Sequence, residues 1–226
     1  MICYGDSIFS KVEKKTIKVF KKLYNKKLSR YFDSIHFLPF YPSSSDSGFA
    51  VKDHYKIDKK FGSWSDISNF SKKNKIMADI VINHASARGL WFRNFLKERK
   101  PGKDYFLTVN NKFDTSKVVR PRDHRLLKKI DIFKKKKFIW RTFSADQIDL
   151  NFKNPSVLLR FIKIMIKKTK NAFQIGFWLP FHLFQRKTLT LLSQISNMYS
   201  AKGLQKYKRV KYFLFFHHDY INKEKF

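Results

Sequence analysis

Three polar residues in the first half of the chain have the side-chain types needed to grip a ligand rich in hydroxyl groups. Asp46 lies in a Ser-rich loop that follows the apolar segment Ile35 to Leu38. Asn83 and His84 end a second apolar segment. A carboxylate accepts charge-assisted hydrogen bonds from hydroxyl groups, and an imidazole can donate to one. This arrangement predicts one wall of a sugar-binding site.

Carboxylates are scarce in the second half of the chain. No Asp or Glu occurs between Leu150 and His218. Retaining chemistry at a glycosidic bond needs two carboxyl groups roughly 5 Å apart, one acting as nucleophile and the other as acid. A carbohydrate-active enzyme of this organisation should place those carboxylates in this stretch. The sequence therefore predicts sugar contacts without the groups that break the glycosidic bond.

Strand-like and helix-like patterns alternate along the chain. This alternation predicts βαβ units and a parallel sheet, in which ligand-binding groups lie at the carboxyl ends of the strands. The loops after Leu38 and after Ile82 lie at two such ends. The predicted elements are strands at Ile2–Tyr4, Ile35–Leu38 and Met77–Ile82, and helices at Val12–Leu28, at Ser65–Lys75 with Ser65 as N-cap, and at Pro155–Lys170.

The pattern changes between Ala85 and about Ser144, where short aromatic pieces alternate with charge clusters. We predict an α/β fold, a partial (β/α)8 TIM barrel with its first three to four strands and an irregular, inserted B-like subdomain. The predicted parts are residues 1–84 as the first part of the barrel, 85–145 as the inserted subdomain, 146–172 as the continuation of the barrel, and 173–226 as a divergent basic tail.

Composition limits the class of protein. The formal charge of +32 over 226 residues would suit a nucleic-acid partner, but the basic residues are spread through every segment with abundant Phe, Ile and Asn. This mixture is typical of an AT-rich genome, and we favour that explanation. The single cysteine, Cys3, fits a reducing compartment, and no signal peptide or apolar tract of about 20 residues is visible. We expect a cytoplasmic protein with no membrane partner.

Several ordered motifs lie between residues 4 and 150. They are Y-G-D-S at 4–7, I-H-F-L-P-F-Y-P-S-S-S-D-S-G-F-A at 35–50, D-H-Y-K-I-D-K-K-F-G-S-W-S-D-I at 53–67, A-D-I-V-I-N-H at 78–84, R-P-R at 120–122 and F-S-A-D-Q-I-D-L at 143–150. Together they resemble the sucrose phosphorylase branch of the α-amylase superfamily, glycoside hydrolase family 13. The resemblance implies retaining glucosyl transfer between a small sugar substrate, sucrose or a related glucoside, and phosphate, with no cofactor and no metal.

The resemblance also implies roles for individual residues. Asp46 and His84 match groups that bind glucose hydroxyls in the donor subsite, although Asp46 also suits a simple turn. The assignments of the aromatic residues and of the arginines have structural alternatives, which are core packing and solvation. The other assignments are Phe49 and Tyr55 as an aromatic wall, Gln147 near the acceptor subsite, Arg120 and Arg122 near phosphate, and Asp79, Asn83 and Asp149 as structural residues.

The chain departs from this family where the nucleophile should lie. The fourth barrel strand is expected near Ala172 to Leu179, and the sequence there, A-F-Q-I-G-F-W-L, contains neither Arg nor Asp. We therefore expect a truncated, inactive copy with no catalytic residue of its own, and a shifted reading frame is a hypothesis for the tail. The alternatives are a non-catalytic hexose-binding remnant and, less favoured, a basic nucleic-acid-binding protein.

Overall fold

The structure is a computed structural model that describes residues 1–110, 113–116, 118, 122–132, 135–169, 174–179 and 211–216. Its first seven elements are β1 (Ile2–Cys3), α1 (Thr16–Leu23), β2 (Ser34–Phe37), α2 (Trp64–Ser71), β3 (Lys75–Val81), β4 (His84–Ser86) and α3 (Leu90–Leu96). The others are β5 (Thr108–Val109), β6 (Leu127–Ile132), β7 (Lys135–Trp140), β8 (Gln147–Asp149), α4 (Pro155–Thr169), β9 (Gln174–Leu179) and β10 (Lys211–Phe216).

Five parallel strands form the main sheet, in the order β1, β2, β3, β9, β10. The strand expected near 172–179 is β9, which pairs with β3 so that Ala78 lies opposite Ile175. Strand β10 pairs with β9 along its whole length. The sheet therefore has one parallel strand more than the three to four that we predicted.

The core of the first βαβ unit explains why β2 folds as it does. Ile35 and Phe37 alternate along the strand and are both fully buried, in one apolar cluster with Phe20 of α1 and Phe70 of α2. His36 lies between them and has the opposite orientation, as expected for a strand whose side chains alternate between faces. The helices thus cover one face of the sheet and leave the face of His36 toward the interior of a barrel.

The helices begin and end near the predicted positions, with two corrections. The predicted helix Val12–Leu28 is α1 followed by a π-helical turn, Tyr24–Leu28. Helix α2 is capped by Ser63, whose hydroxyl accepts a hydrogen bond from the backbone N–H of Asp66, so the predicted N-cap at Ser65 is wrong. Both serines precede the same apolar run, and sequence alone does not distinguish them.

The segment that we expected to be irregular contains regular structure. It includes α3 and an antiparallel three-stranded sheet with the order β5, β7, β6. A further antiparallel pair, β4 with β8, joins the end of β3 to the chain beyond this segment. None of the helices in the described part of the chain has both the length and the apolar character needed to traverse a bilayer.

Candidate sugar-binding site

The loop after β2 holds Asp46 in an unusual backbone conformation. Asp46, Ser47 and Gly48 have φ angles of 56°, 47° and 105°. A Cβ atom at Gly48 would lie 2.3 Å from the carbonyl oxygen of Pro39, so this position requires glycine. Non-glycine residues with positive φ are uncommon and persist where the surrounding structure holds them. The loop is therefore built to present Asp46 at the carboxyl end of β2.

Gln147 fixes the Asp46 carboxylate from the other side of the site. Its Nε2 atom donates a hydrogen bond to Asp46 Oδ2 over 2.7 Å. Gln147 is the first residue of β8 and lies opposite Ser86 in the antiparallel pairing with β4. Two segments 101 residues apart in sequence thus meet at Asp46.

His84, at the start of β4, is 3% exposed and borders the same loop. Its Nε2–H donates to the backbone carbonyl of Phe49, with an N···O distance of 3.2 Å. Burial lowers the pKa of His84 to about 4, although the Phe49 carbonyl and the Asp46 charge act in the opposite direction. The imidazole is therefore neutral at pH 7, with a lone pair on Nδ1.

Several buried acceptors in this region have no partner among the residues that the structure describes. They include His84 Nδ1, Gln147 Oε1 and Asn83 Oδ1. Buried polar atoms in native proteins are nearly always hydrogen-bonded to protein, water or a ligand. With the Asp46 carboxylate they favour a ligand that donates hydrogen bonds, such as a sugar hydroxyl. Donation by His84 itself, the role implied by the resemblance, requires its hydrogen to move to Nδ1 or the ring to gain a second proton.

Two aromatic residues border His84. The ring of Phe143 lies 5.1 Å from the imidazole, centroid to centroid. Phe49 is partly buried and packs against the cluster beneath the sheet. The sequence predicted no role for Phe143, although this residue begins the motif F-S-A-D-Q-I-D-L at 143–150. Its contact with His84 depends on the pairing of β4 with β8, which spans more than 60 residues of sequence.

The predicted structural carboxylates have contacts of the kind that hold strand ends together. The Oδ1 atom of Asp149 accepts from the backbone N–H of Thr142 over 3.0 Å, and Oδ2 accepts from the Thr142 hydroxyl. Asp79 is fully buried, with Oδ1 2.5 Å from Nε2 of His36. The hydroxyl of Tyr41 donates to the Asp79 backbone carbonyl. The structural roles of Asp79 and Asp149 remain predictions.

Tyr55 and the R-P-R arginines have different surroundings. The Tyr55 hydroxyl lies 3.5 Å from Nη1 of Arg160 on α4, and its carbonyl accepts from the Trp64 indole. The contact with Arg160 places the Tyr55 hydroxyl beside helix α4. Arg122 is exposed, and Arg120 lies outside the described residues. Their predicted roles at an aromatic wall and near phosphate remain predictions.

Asp149 gives a testable dependence of stability on pH. Burial raises its pKa to about 7, while the Thr142 hydrogen bonds act to lower it. Between the unfolded value near 4 and about 7, the folded state keeps a proton that the unfolded state releases, so this contribution to stability is lost as pH rises. We expect the free energy of unfolding of Asp149→Asn, relative to the original chain, to rise by a few kcal/mol from pH 4 to 8, at about 1.4 kcal/mol per pKa unit.

Urea unfolding at a series of pH values measures this difference. The lowered pKa of His84 makes stability rise with pH, which is the opposite dependence. Because His84 is present in both proteins, its contribution cancels in the difference between their free energies of unfolding. Asp114→Asn is the matched control, because Asp114 is exposed and bonds only locally to Ser116 among the contacts described for it. A difference that stays flat across this pH range would show that Asp149 is ionised in the folded protein.

Comparison with known proteins identifies relatives that match most of the chain. A model of the alpha-amylase catalytic domain matches residues 19–177. A glucosylglycerate phosphorylase of Allomeiothermus silvanus is 40% identical over 172 residues, which cover 76% of this chain and 31% of that protein. A sucrose 6(F)-phosphate phosphorylase of Thermoanaerobacterium thermosaccharolyticum is 29% identical over 190 residues, which cover 77% of this chain and 38% of that protein. The chain spans about a third of the length of these relatives.

A solved structure confirms the predicted fold. The crystal structure of sucrose 6F-phosphate phosphorylase from Thermoanaerobacter thermosaccharolyticum superposes with a TM-score of 0.77 at 23% sequence identity. The superposition covers 94% of this chain and 46% of that one. The five parallel strands therefore correspond to part of a (β/α)8 barrel, with the Asp46 loop and the β4–β8 pair at the carboxyl ends of its strands.

Proposed function

The chain belongs to the alpha-amylase catalytic-domain family, glycoside hydrolase family 13, and on that premise we propose that it binds the glucosyl ring of a small α-glucoside without turning it over. Asp46 and His84 contact the ring hydroxyls, and Gln147 holds the Asp46 carboxylate in place. The proposed function keeps the sugar binding of the family's glucosyl transfer and omits the cleavage of the glycosidic bond. A cytoplasmic location remains a prediction.

One observation carries the proposal. Asp46 accepts from Gln147 through one carboxylate oxygen. Close to it are His84 Nδ1 and Gln147 Oε1, which are buried acceptors without a partner in the described part of the chain. Buried acceptors of this kind carry a desolvation cost that a hydroxyl donor from a ligand relieves. A hexose supplies several hydroxyl donors on a rigid ring, which suits a carboxylate, an imidazole and an amide held on three segments of the chain.

The comparisons favour glucosylglycerate over sucrose as the type of glucoside. The matched glucosylglycerate phosphorylases of three bacteria are 40%, 39% and 37% identical to this chain. The matched sucrose phosphorylases are 29%, 28% and 30% identical. The glucosyl ring is common to both substrates, so Asp46 and His84 have the same role with either. Phosphate is the acceptor that the family chemistry would use.

The absence of turnover follows from the residues of the fourth strand. Strand β9, Q-I-G-F-W-L, contains no carboxylate, although the resemblance implies the nucleophile there. Without the nucleophile, the retaining mechanism lacks one of its two reacting groups. Contacts to the ring hydroxyls alone do not stabilise the oxocarbenium-like transition state enough to replace the missing carboxylate.

Two measurements on the purified chain test this function. Calorimetric titration is expected to show saturable binding of glucose and glucosylglycerate, both weakened by Asp46→Ala. Incubation of the chain with glucosylglycerate and phosphate is expected to form no glucose 1-phosphate. Equal heats for the original chain and Asp46→Ala would remove the binding proposal, and glucose 1-phosphate formation would overturn the absence of turnover.

A further inference from the structure

A cluster of serine hydroxyls around Asp146 lies next to the sugar-binding residues. We propose that Asp146 is a positioning residue, whose carboxylate joins the hydroxyls of Ser44, Ser45 and Ser86 and thereby holds Asp46 in its binding geometry. We name these four residues the Asp146 latch. The inference rests on the proposed function, since it concerns how the same site is kept in shape.

The latch connects three separate segments through one carboxylate. Asp146 Oδ2 accepts from Ser44 Oγ over 2.5 Å and from Ser45 Oγ over 2.8 Å. Its Oδ1 atom lies 3.5 Å from Ser86 Oγ, and the hydroxyls of Ser44 and Ser86 are 2.5 Å apart. Hydrogen bonds to an ionised carboxylate are about twice as strong as those between neutral groups. The loop after β2, strand β4 and the start of β8 are thus held at one point.

The position of the latch in the sequence links it to the binding residues. Ser45 immediately precedes Asp46, and Asp146 immediately precedes Gln147. The latch and the hydrogen bond from Gln147 to Asp46 are therefore two adjacent connections between the same two segments. Backbone bonds add to this junction, because the N–H of Ala87 donates to the Asp146 carbonyl over 2.9 Å.

The Asp46 loop needs such an external support. Positive φ angles at both Asp46 and Ser47 are unfavourable for residues with a side chain, and they persist only when other contacts over-determine the loop. Without the Asp146 carboxylate, the Ser44 and Ser45 hydroxyls lose their shared acceptor. The loop can then relax, and the Asp46 carboxylate leaves the position set by Gln147. Asp146 acts through Asp46 and makes no contact with the sugar itself.

A double-mutant cycle separates positioning from general structural support. We expect Asp146→Ala to weaken glucose binding about tenfold, since it removes charge-assisted hydrogen bonds that hold the loop. Asp146→Asn keeps one carbonyl acceptor and is expected to recover part of that loss. In an Asp46→Asn background, Asp146→Ala is expected to change the affinity less than about threefold, because its effect passes through the Asp46 carboxylate. Asp114→Ala, which removes an exposed carboxylate bonded to Ser116, is the matched control.

Hydrogen exchange provides a readout that does not depend on the sugar. Asp146→Ala is expected to speed amide exchange in residues 44–51 about tenfold, while exchange in β3 stays unchanged. If the original chain binds no glucose, the proposed function fails and the latch is judged by exchange alone. The same tenfold loss of affinity in both backgrounds, or unchanged exchange in residues 44–51, would overturn the positioning role.

Discussion

Replacing Asp46 by alanine is expected to weaken glucose binding at least about a hundredfold, because a hydrogen bond to a charged group contributes about 1.5–3 kcal/mol and this carboxylate would make two with ring hydroxyls. The change also leaves Gln147 Nε2 without its acceptor at 2.7 Å. Calorimetric titration of the two proteins side by side measures the loss. Because Gln147 is buried, the unpaired amide is expected to lower the free energy of unfolding of the variant by about 1–3 kcal/mol, and the variant is expected to stay folded.

The control for this variant is Asp114→Ala, which removes an equally exposed carboxylate from another loop. Its glucose affinity should match that of the original chain. Asp46→Asn should lie between the two variants, because the amide keeps the shape and one acceptor but loses the charge. If the affinity of Asp46→Ala fell by less than about threefold, the Asp46 carboxylate would have no direct part in binding.

The second large effect is on stability, at Phe37. This residue ends β2 and is fully buried. Its ring centroid lies 5.0 Å from that of Phe20, 5.4 Å from that of Phe61 and 6.4 Å from that of Phe70. Replacement by alanine is expected to lower the free energy of unfolding by about 3–5 kcal/mol, because it leaves a cavity among rings on α1, on α2 and in the turn before α2. Urea unfolding monitored by circular dichroism measures the change.

Phe9→Ala is the matched control for Phe37→Ala. Phe9 is 80% exposed, so the same truncation there should change the free energy of unfolding by less than about 0.5 kcal/mol. Because β2 leads directly into the Asp46 loop, Phe37→Ala should also weaken glucose binding where the variant remains folded. Equal stability of the two variants would contradict the packing of β2 against both helices.

Strands β1, β2 and β3 were predictable because each carries a local signal. The run Met77–Ile82 is apolar apart from Asp79, and it folds as β3, Lys75–Val81. The strand expected near 172–179 is β9, Gln174–Leu179. Strand β10, Lys211–Phe216, was missed because it lies in the stretch 173–226 that we interpreted as a divergent basic tail. A short apolar run becomes a strand through its neighbour, here β9, and sequence patterns do not show the neighbour.

The candidate site was predictable in part. Asp46, His84 and Gln147 were each identified from motifs. The structure brings His84 and Gln147, on β4 and β8, next to the loop after β2 that contains Asp46. The Asp146 latch was not identified, since Ser44 and Ser45 are about 100 residues away from Asp146 in sequence. Serines in a loop are ordinary turn residues, and only the antiparallel pairing of β4 with β8 shows that they share an acceptor.

The most direct test of sugar binding at this site is nuclear magnetic resonance of the labelled chain during addition of glucose. The side-chain amide of Gln147 and the imidazole of His84 are expected to shift together and to saturate with a single dissociation constant. The same signals in Asp46→Ala are expected to stay nearly constant over that range of glucose. Binding that leaves both side chains unchanged, or the absence of any saturable shift, would contradict a glucosyl site built from Asp46, His84 and Gln147.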